Sequence, residues 1–369
     1  MKKLVIIGAN DFQNQLILKA KSLGYETHVF AWREDAIGEK TADFFYPVSI
    51  VEKEKILEEC RKINPVGVCS IASDLAAITV NYVAESLGLP CNSTKYTAQQ
   101  TNKYAMRKAM VQAGIPCPRF IIADSSTDFD STLDDFSFPI IVKPTDRSGS
   151  RNIMKLESME GVSKAVKEAC ETSFEKKAII EEYLTGEEYS MESISYNGRH
   201  HFLAVTKKFT TGAPHFIETG HRQPSDLSDE IVQKAIETIF KALDALHIEN
   251  SASHAEFRVD ESGNIKIIEI GARMGGDCIG SDLVYLSTGH DFVKMVIDVA
   301  CGNAPTLNEN PLRRQAEIRF LFDQKDLDDF ESWRSDNEDK IYRVSDFDLD
   351  NIGNVTDSST RIGYYITLE

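Results

Sequence analysis

The fold of this chain depends on residues 254–277, which read HAEFRVDESGNIKIIEIGARMGGD. Two apolar-rich runs flank Ser262-Gly263, a pattern typical of two antiparallel strands joined by a two-residue turn. Counting outward from that turn places Glu256 directly opposite Glu269. The same face then carries His254, Gly271 and Arg273, while the opposite, core-facing side carries Ala255, Phe257, Ile268 and Ile270.

The two glutamates need a cation between them, because directly opposed side chains lie about 5 Å apart and like charges there repel. Mg²⁺ fits better than Ca²⁺, since Mg²⁺ sites use one or two carboxylates and leave the other positions to water and phosphate. Gly271, Gly275 and Gly276 allow the backbone to approach a ligand closely, and Arg273 suits an oxyanion or a phosphate. The alternative is a surface hairpin with two solvated glutamates.

Length, charge and cysteine content narrow the functional classes. At 369 residues the chain has room for two or three domains. Its formal charge of −17 argues against nucleic acid or an anionic membrane as the main partner, since both need a basic surface. Seven cysteines without paired spacing fit a reducing compartment, and no signal peptide or membrane-spanning run is visible. We therefore expect a cytoplasmic protein.

Residues 1–95 alternate short apolar strands with helical segments, which predicts an open parallel sheet. The dinucleotide fingerprint G-x-G-x-x-G is absent after the first strand, and this argues against an NAD enzyme. Ser73-Asp74 lies where a loop at the edge of such a sheet would meet a ligand, although a plain helix cap explains it equally well.

A second ligand loop is predicted after the buried strand 138–142, which ends in Lys143-Pro144. Residues 145–152 are small and polar and include two arginines, so this loop can direct backbone N–H groups at phosphate oxygens. It is not a Walker A loop. Lys103 begins the helix predicted over residues 101–114, where a lysine is unfavourable for the helix dipole, so it either faces solvent or binds a ligand.

Residues 210–225 are predicted to form a long irregular segment. His215, Glu218, His221 and Arg222 lie close together in it. Loops of this length in compact domains are often functional, so we expect this segment to contribute to a site.

Taken in order, four motifs resemble those of the ATP-grasp superfamily. They are Asn102-Lys103, the run FPIIVKP at 138–144, the run EEYLTGEE at 181–188, and Glu256 followed by Glu269-x-x-x-Arg273-x-Gly275-Gly276. The resemblance implies a mixed α/β and α+β architecture. An N-terminal open parallel α/β domain (1–95) would precede linker helices and a small lid (96–186). A larger antiparallel core with the metal site (187–305) and a C-terminal extension packed on it (306–369) would follow, with ATP between lid and core.

The resemblance also implies roles for individual residues. Lys103 and Lys143 match the lysines that hold the nucleotide phosphates, and Ser148, Gly149 and Ser150 match the loop that closes over them. Glu181, Glu182 and Leu184 match the adenine hinge, and Glu188 matches the ribose-binding acid. Glu256 and Glu269 match the ligands of Mg²⁺ or Mn²⁺, with two ions expected, and Arg273 matches the arginine that steadies an acyl phosphate.

One position departs from the family pattern. Many members have asparagine as a third metal ligand two residues after the second glutamate, where this chain has Gly271. The variant G-x-R-x-G-G, together with His254 and the segment 216–221, is similar to the branch that contains bacterial L-amino-acid ligases. With Gly271 in place of that asparagine, metal coordination in this chain would use fewer protein ligands and more water.

The activity implied is an ATP-dependent, ADP-forming ligase that joins a small-molecule carboxylate to an amine through an acyl phosphate. His254, His221 and Glu218 are candidate bases for the amine, since histidine titrates in the right range. Nucleic acid and membrane partners are not expected, and a homodimer is left open. The alternatives are a carbamoyl-phosphate-synthase-like or biotin-carboxylase-like enzyme that phosphorylates bicarbonate, and a nucleotide-binding protein without catalysis.

Overall fold

The computed structural model describes residues 1–34, 36–149, 151–213 and 216–369, with the side chain of residue 130 left out. The strands are β1 (Lys3–Ile7), β2 (Glu26–Phe30), β3 (Phe44–Tyr46), β4 (Gly67–Cys69), β5 (Phe120–Ala123), β6 (Ile140–Pro144), β7 (Met154–Leu156), β8 (Ala178–Glu182), β9 (Glu187–Tyr196), β10 (Arg199–Thr210), β11 (Glu218–Gln223), β12 (Ala252–Val259), β13 (Ile265–Gly271), β14 (Ala316–Leu321), β15 (Ile341–Val344) and β16 (Gly363–Leu368).

The helices are α1 (Asp11–Ser22), α2 (Lys53–Ile63), α3 (Asp74–Ser86), α4 (Thr97–Thr101), α5 (Lys103–Gln112), α6 (Phe129–Thr132), α7 (Val162–Thr172), α8 (Asp229–Ala245), α9 (Val284–Thr288), α10 (Phe292–Ala300) and α11 (Gln324–Arg334). The helix predicted over residues 101–114 is interrupted at Asn102, whose extended backbone ends α4 and whose side chain caps α5.

The described residues form three sheets, and these confirm the predicted fold class. The N-terminal sheet is parallel, in the order β3-β2-β1-β4. A small antiparallel sheet, β5-β8-β6-β7, packs on α7 and is called the lid sheet here. The largest sheet has the order β13-β12-β9-β10-β11-β14-β16-β15, so the C-terminal strands extend it. The domain boundaries given above stay a prediction.

The central hairpin has the predicted pairing but not the predicted turn. Glu256 lies opposite Glu269, as counted from the sequence. However, the Asp260 N–H donates to the Asn264 carbonyl at 3.1 Å, so three residues, not two, separate the ends of the turn. Gly263 takes the left-handed conformation (φ 73°) that a three-residue hairpin loop needs.

A β-bulge after Glu256 offsets the longer turn. Phe257 pairs with Ile267, and Ile268 is the extra residue of the bulge. The prediction that Ile268 faces the core is therefore wrong: Ile267 is fully buried there, while Ile268 lines a cleft. Without the bulge, Glu256 would pair one residue away from Glu269, and the two carboxylates would lie on opposite faces.

The segment predicted to be irregular over residues 210–225 is partly a strand. Residues 218–223 form β11, which pairs antiparallel with β10 and with β14. The strand is hidden in the sequence because its buried positions are Gly220, His221 and Gln223 in place of aliphatic residues. Residues 211–213 and 216–217 precede the strand as a loop, and His215 lies outside the described residues.

Asn92 ties the linker that follows the N-terminal sheet to the core. The residue is fully buried. Its Oδ1 accepts hydrogen bonds from the N–H groups of Glu249 at 2.7 Å and Asn250 at 2.9 Å, and its Nδ2 donates to Ser251 Oγ at 2.9 Å. This contact fixes the position of the N-terminal sheet relative to the strand β12.

We predict that Asn92→Ala lowers the free energy of unfolding by about 2–4 kcal/mol, because two backbone donors lose their acceptors at about 1–3 kcal/mol each. Guanidinium denaturation followed by circular dichroism measures the change. Asn303→Ala, at an exposed position, is the control and should change the value by less than about 0.5 kcal/mol. Equal effects of the two substitutions would contradict the role given to Asn92.

Candidate active site

Successive side chains on a strand point to opposite faces of the sheet. One face of the eight-stranded sheet can therefore be polar while the other packs on the core. Along β9, Tyr189 and Met191 join the apolar core. Glu188 and Glu192 lie on the other face, and Glu192 is directly opposite His254 of β12. This polar face forms the floor of a cleft.

The cleft is bounded by the polar face, the lid sheet and the start of α5. Its lining includes most of the residues predicted to bind nucleotide or metal or to act in catalysis, namely Lys103, Lys143, Ser148, Gly149, Glu181, Glu182, Leu184, Glu188, Glu218, His254, Glu256, Glu269 and Arg273. Ser150 lies outside the described residues. His221 is buried elsewhere, at 1% exposure.

Each of the two opposed glutamates is paired with a lysine. Lys103 Nζ lies 2.9 Å from Glu269 Oε1, and Lys208 Nζ donates to Glu256 Oε1. Desolvation alone would raise the pKa of Glu256, but Lys208 and His254 hold it well below its usual value. Glu256 is therefore a carboxylate, the form that a hard metal ion binds.

Lys208 is a cleft residue that the sequence did not single out. Its side chain is 3% exposed, and Glu188 and Glu218 lie 3.5 Å and 3.8 Å from its Nζ. Burial lowers the pKa of Lys208, but the neighbouring carboxylates outweigh burial and raise it. Lys208 pairs with His221 across β10 and β11, so strand register, once known, would have identified its face.

The residues present fit a metal only in part. Glu256 and Glu269 offer two oxygen donors to one cleft, which suits Mg²⁺. Among the described residues, no group of three or more His, Cys, Asp or Glu side chains is arranged to hold a metal by itself. A metal here would therefore depend on water and phosphate for its remaining ligands.

Lys143 and Arg107 share the buried carboxylate of Glu181. Lys143 Nζ lies 2.7 Å and Arg107 Nε 2.6 Å from its two oxygens. Burial raises the pKa of Glu181, but the two cations outweigh burial and lower it to about 2. Because its side chain is occupied, Glu181 can serve an adenine hinge only through its backbone.

The predicted hinge is held by Arg258, which the sequence also did not single out. Its guanidinium donates to the Leu184 carbonyl at 2.9 Å and to Glu188 Oε2 at 3.0 Å, and it lies 4.9 Å from the centre of the Tyr183 ring. The Glu182 side chain accepts from the Ser137 N–H at 3.0 Å. The segment after β8 is thus fixed at the cleft mouth.

The predicted phosphate loop forms the edge of the cleft. Ser148 and Gly149 are exposed there. The Arg147 carbonyl accepts from Lys103 Nζ at 2.5 Å, and the Arg147 guanidinium lies 3.9 Å from the centre of the Phe174 ring. Lys103 therefore contacts this loop and Glu269 at once.

Arg273 joins the core to the N-terminal sheet. Its Nε lies 2.9 Å and its Nη2 3.3 Å from the two carboxylate oxygens of Asp74, the first residue of α3. A Cβ at Gly271 would lie 3.0 Å from Asp74 Oδ1 and 3.0 Å from Arg273 Nε. The space that an asparagine side chain would need at position 271 is therefore taken by this ion pair.

His254 has two acidic partners. Its Nδ1 bonds to Glu192, which is fully buried, and its Nε2 lies 3.3 Å from Glu256 Oε1. Burial lowers the pKa of His254, but Glu192 and Glu256 outweigh burial and raise it to about 9. As an imidazolium at neutral pH, it has no lone pair with which to accept a proton from an amine.

The other two candidate bases differ in access. Burial keeps the pKa of His221 below its usual value, and its Nε2 lies 3.6 Å from Asp277, which Arg361 grips at 3.0 Å and 2.6 Å. Glu218 lines the cleft, and its Oε2 accepts from Ser358 Oγ at 2.6 Å. Of these two residues, Glu218 lines the cleft and His221 does not.

Known proteins share this architecture. Residues 136–282 match the family model of the ATP-grasp domain. An alanine–anticapsin ligase of Bacillus subtilis is 27% identical over 293 residues, which cover 70% of this chain and 61% of that protein. A D-alanine–D-alanine ligase B of Chromobacterium violaceum is 27% identical over 202 residues, covering 53% and 66%. The chain thus spans about three fifths of the length of the first of these relatives.

The solved structure of an L-amino acid ligase from Bacillus licheniformis superposes with a TM-score of 0.83 at 21% identity, over 100% of this chain and 94% of that one. At that identity the likeness shows the fold. In the part of the chain that the structure describes, no helix is long and apolar enough to cross a membrane. Residues 136–282 of this chain are thus similar to an ATP-grasp domain, and the whole chain shares its fold with that ligase.

Proposed function

We propose that the protein is an ATP-dependent carboxylate–amine ligase that acts on amino acids and forms ADP. The observation that carries the proposal is the convergence, in one cleft, of the opposed Glu256 and Glu269 with Lys103, Lys143 and Arg273. Two anionic groups that can hold a metal, two ammonium groups and a guanidinium are what transfer of a phosphoryl group needs.

In this proposal the chain's residues act mainly by position and charge. Lys103 and Lys143 bind the nucleotide phosphates, Glu256 and Glu269 hold Mg²⁺ or Mn²⁺, and the loop at residues 146–152 excludes water. The metal, two ions of which are expected, supplies charge neutralisation on the phosphate oxygens. Arg273 lies next to the metal carboxylates and is placed to steady a negatively charged oxygen.

The chemistry balances as two substitutions. A substrate carboxylate oxygen attacks the γ-phosphorus, so the bond to ADP breaks and an acyl phosphate forms. The amine nitrogen then attacks the acyl carbon, phosphate leaves, and the proton of the amine passes to a base. Glu218 is the best placed of the three candidate bases because it lines the cleft as a carboxylate.

Amino-acid substrates are supported by the relatives. Alanine–anticapsin ligases and D-alanine–D-alanine ligases are among the proteins similar to this chain. A biotin carboxylase of Campylobacter jejuni also superposes, with a TM-score of 0.76 at 15% identity, which supports the fold but not the use of bicarbonate. The cytoplasmic location and a homodimer stay predictions.

Phosphate release from ATP, measured with single amino acids, amino-acid pairs and bicarbonate, tests the proposal. Release that needs two amino acids, with an amide-linked product detected by mass spectrometry, is the expected result. Release that depends on bicarbonate alone would favour the carboxylase-like alternative, and no release under any condition would leave a nucleotide-binding protein without catalysis.

We predict that Glu269→Gln lowers turnover at least about a hundredfold, because a ligand to a metal that contributes several kcal/mol is lost. Steady-state kinetics at saturating Mg²⁺ measures this. Glu261→Gln changes the same residue type in the exposed turn of the same hairpin and should leave turnover unchanged. A similar loss in both variants would show that the effect comes from the hairpin and not from the metal site.

Arg273→Ala should lower the turnover of ligation by about 10²–10³-fold, because a preorganised charge next to the reacting oxygen is removed. ATP affinity should change little, since the phosphate-binding lysines remain. Calorimetric titration with a non-hydrolysable nucleotide, alongside kinetics, separates the two effects. Equal losses of nucleotide binding and turnover would contradict this role for Arg273.

A further inference from the structure

Both carboxylates that are proposed to bind metal are paired with ammonium groups of the chain. Glu269 is paired with Lys103 at 2.9 Å, and Glu256 is paired with Lys208. The two lysines are 6% and 3% exposed as side chains, so these are not loose surface contacts. A metal that binds both glutamates must therefore displace two ammonium groups.

Lys208 has three acidic neighbours within 4 Å of its ammonium group, namely Glu256, Glu188 and Glu218. Moving from Glu256 toward the other two would cost it little, because its distances to them are already 3.5 Å and 3.8 Å. The lysine therefore has alternative partners within the cleft once a metal takes over Glu256.

Lys103 has its own second acceptor, the Arg147 carbonyl at 2.5 Å. That carbonyl belongs to the loop at the edge of the cleft. Phosphate oxygens would offer Lys103 a charged acceptor in place of Glu269, and charge-assisted hydrogen bonds of this kind are the stronger ones. Nucleotide, unlike metal alone, therefore offers Lys103 a new partner when metal displaces it from Glu269.

We propose that Lys103 and Lys208 are internal counter-ions of Glu269 and Glu256, that they compete with metal for these carboxylates, and that they release them when metal and nucleotide bind together. The proposal rests on the nucleotide and metal sites of the proposed function and adds a coupling between them. Metal and nucleotide then bind with positive coupling, and each raises the affinity for the other by the same factor.

Without the lysines, the opposed carboxylates would repel each other. The two ammonium groups offset this repulsion and so stabilise the register of the hairpin. The same pairing lowers the affinity for free metal in proportion to the small fraction of molecules in which the position is vacant. The lysines therefore weaken the binding of free metal and, at the same time, stabilise the arrangement of the cleft.

Binding of Mn²⁺, followed by electron paramagnetic resonance on the full chain, tests this without relying on activity. In the wild type, Mn²⁺ alone should bind at least about tenfold more weakly than Mn²⁺ with a non-hydrolysable ATP analogue, as expected if the position is vacant less than a tenth of the time. Lys208→Gln should tighten the binding of Mn²⁺ alone by a similar factor.

Lys207→Gln is the matched control, because Lys207 is the next residue along β10 and pairs instead with Glu187 and Asp226 at 2.5 Å and 2.6 Å. It should leave Mn²⁺ binding unchanged. Equal Mn²⁺ affinity of the wild type with and without nucleotide overturns the proposal even if Lys208→Gln does not fold. Unchanged affinity for Mn²⁺ alone in a folded Lys208→Gln variant also overturns the proposal. Absence of Mn²⁺ binding in every variant, with the analogue present, would overturn the proposed nucleotide and metal site as well.

Discussion

The structure depends on the opposition of Glu256 and Glu269 across one antiparallel pair of strands. Two carboxylates in direct register repel each other unless a cation lies between them, and this chain supplies the cations itself, as Lys103 from the start of α5 and Lys208 from β10. Around this pair the polar face of the sheet is organised so that every acid has a basic neighbour. The charged side chains of the cleft are thus held in place by partners within the chain.

Ion pairs between side chains also link the three sheets. Arg273 from the core meets Asp74 at the first turn of a helix that follows the parallel sheet. Lys143 from the lid sheet meets Glu181, which also holds Arg107 of α5. Breaking one partner of a buried ion pair is costly because it leaves the other charge without compensation. Substitutions in the cleft will therefore affect both stability and binding, and each needs a control that separates the two.

The pairing of Glu256 with Glu269 was predicted from the sequence alone, although for a partly wrong reason. The count assumed a two-residue turn, whereas the turn is one residue longer and a bulge at Glu256 restores the pairing. Bulges depend on packing between strands distant in sequence and leave no clear local signal. The parallel sheet followed from the alternation of apolar strands and helical segments. β11 was missed because its buried positions are glycine, histidine and glutamine in place of aliphatic residues. Lys208 reaches the cleft through strand register, which no motif encodes.

The account is tested most directly by anomalous scattering from a crystal grown with Mn²⁺ and a non-hydrolysable ATP analogue. It predicts a manganese peak between the carboxylates of Glu256 and Glu269, at about 2.1–2.2 Å from an oxygen of each, with Lys103 turned toward phosphate. A peak elsewhere, or a nucleotide bound while Lys208 and Lys103 keep both carboxylates, would contradict it.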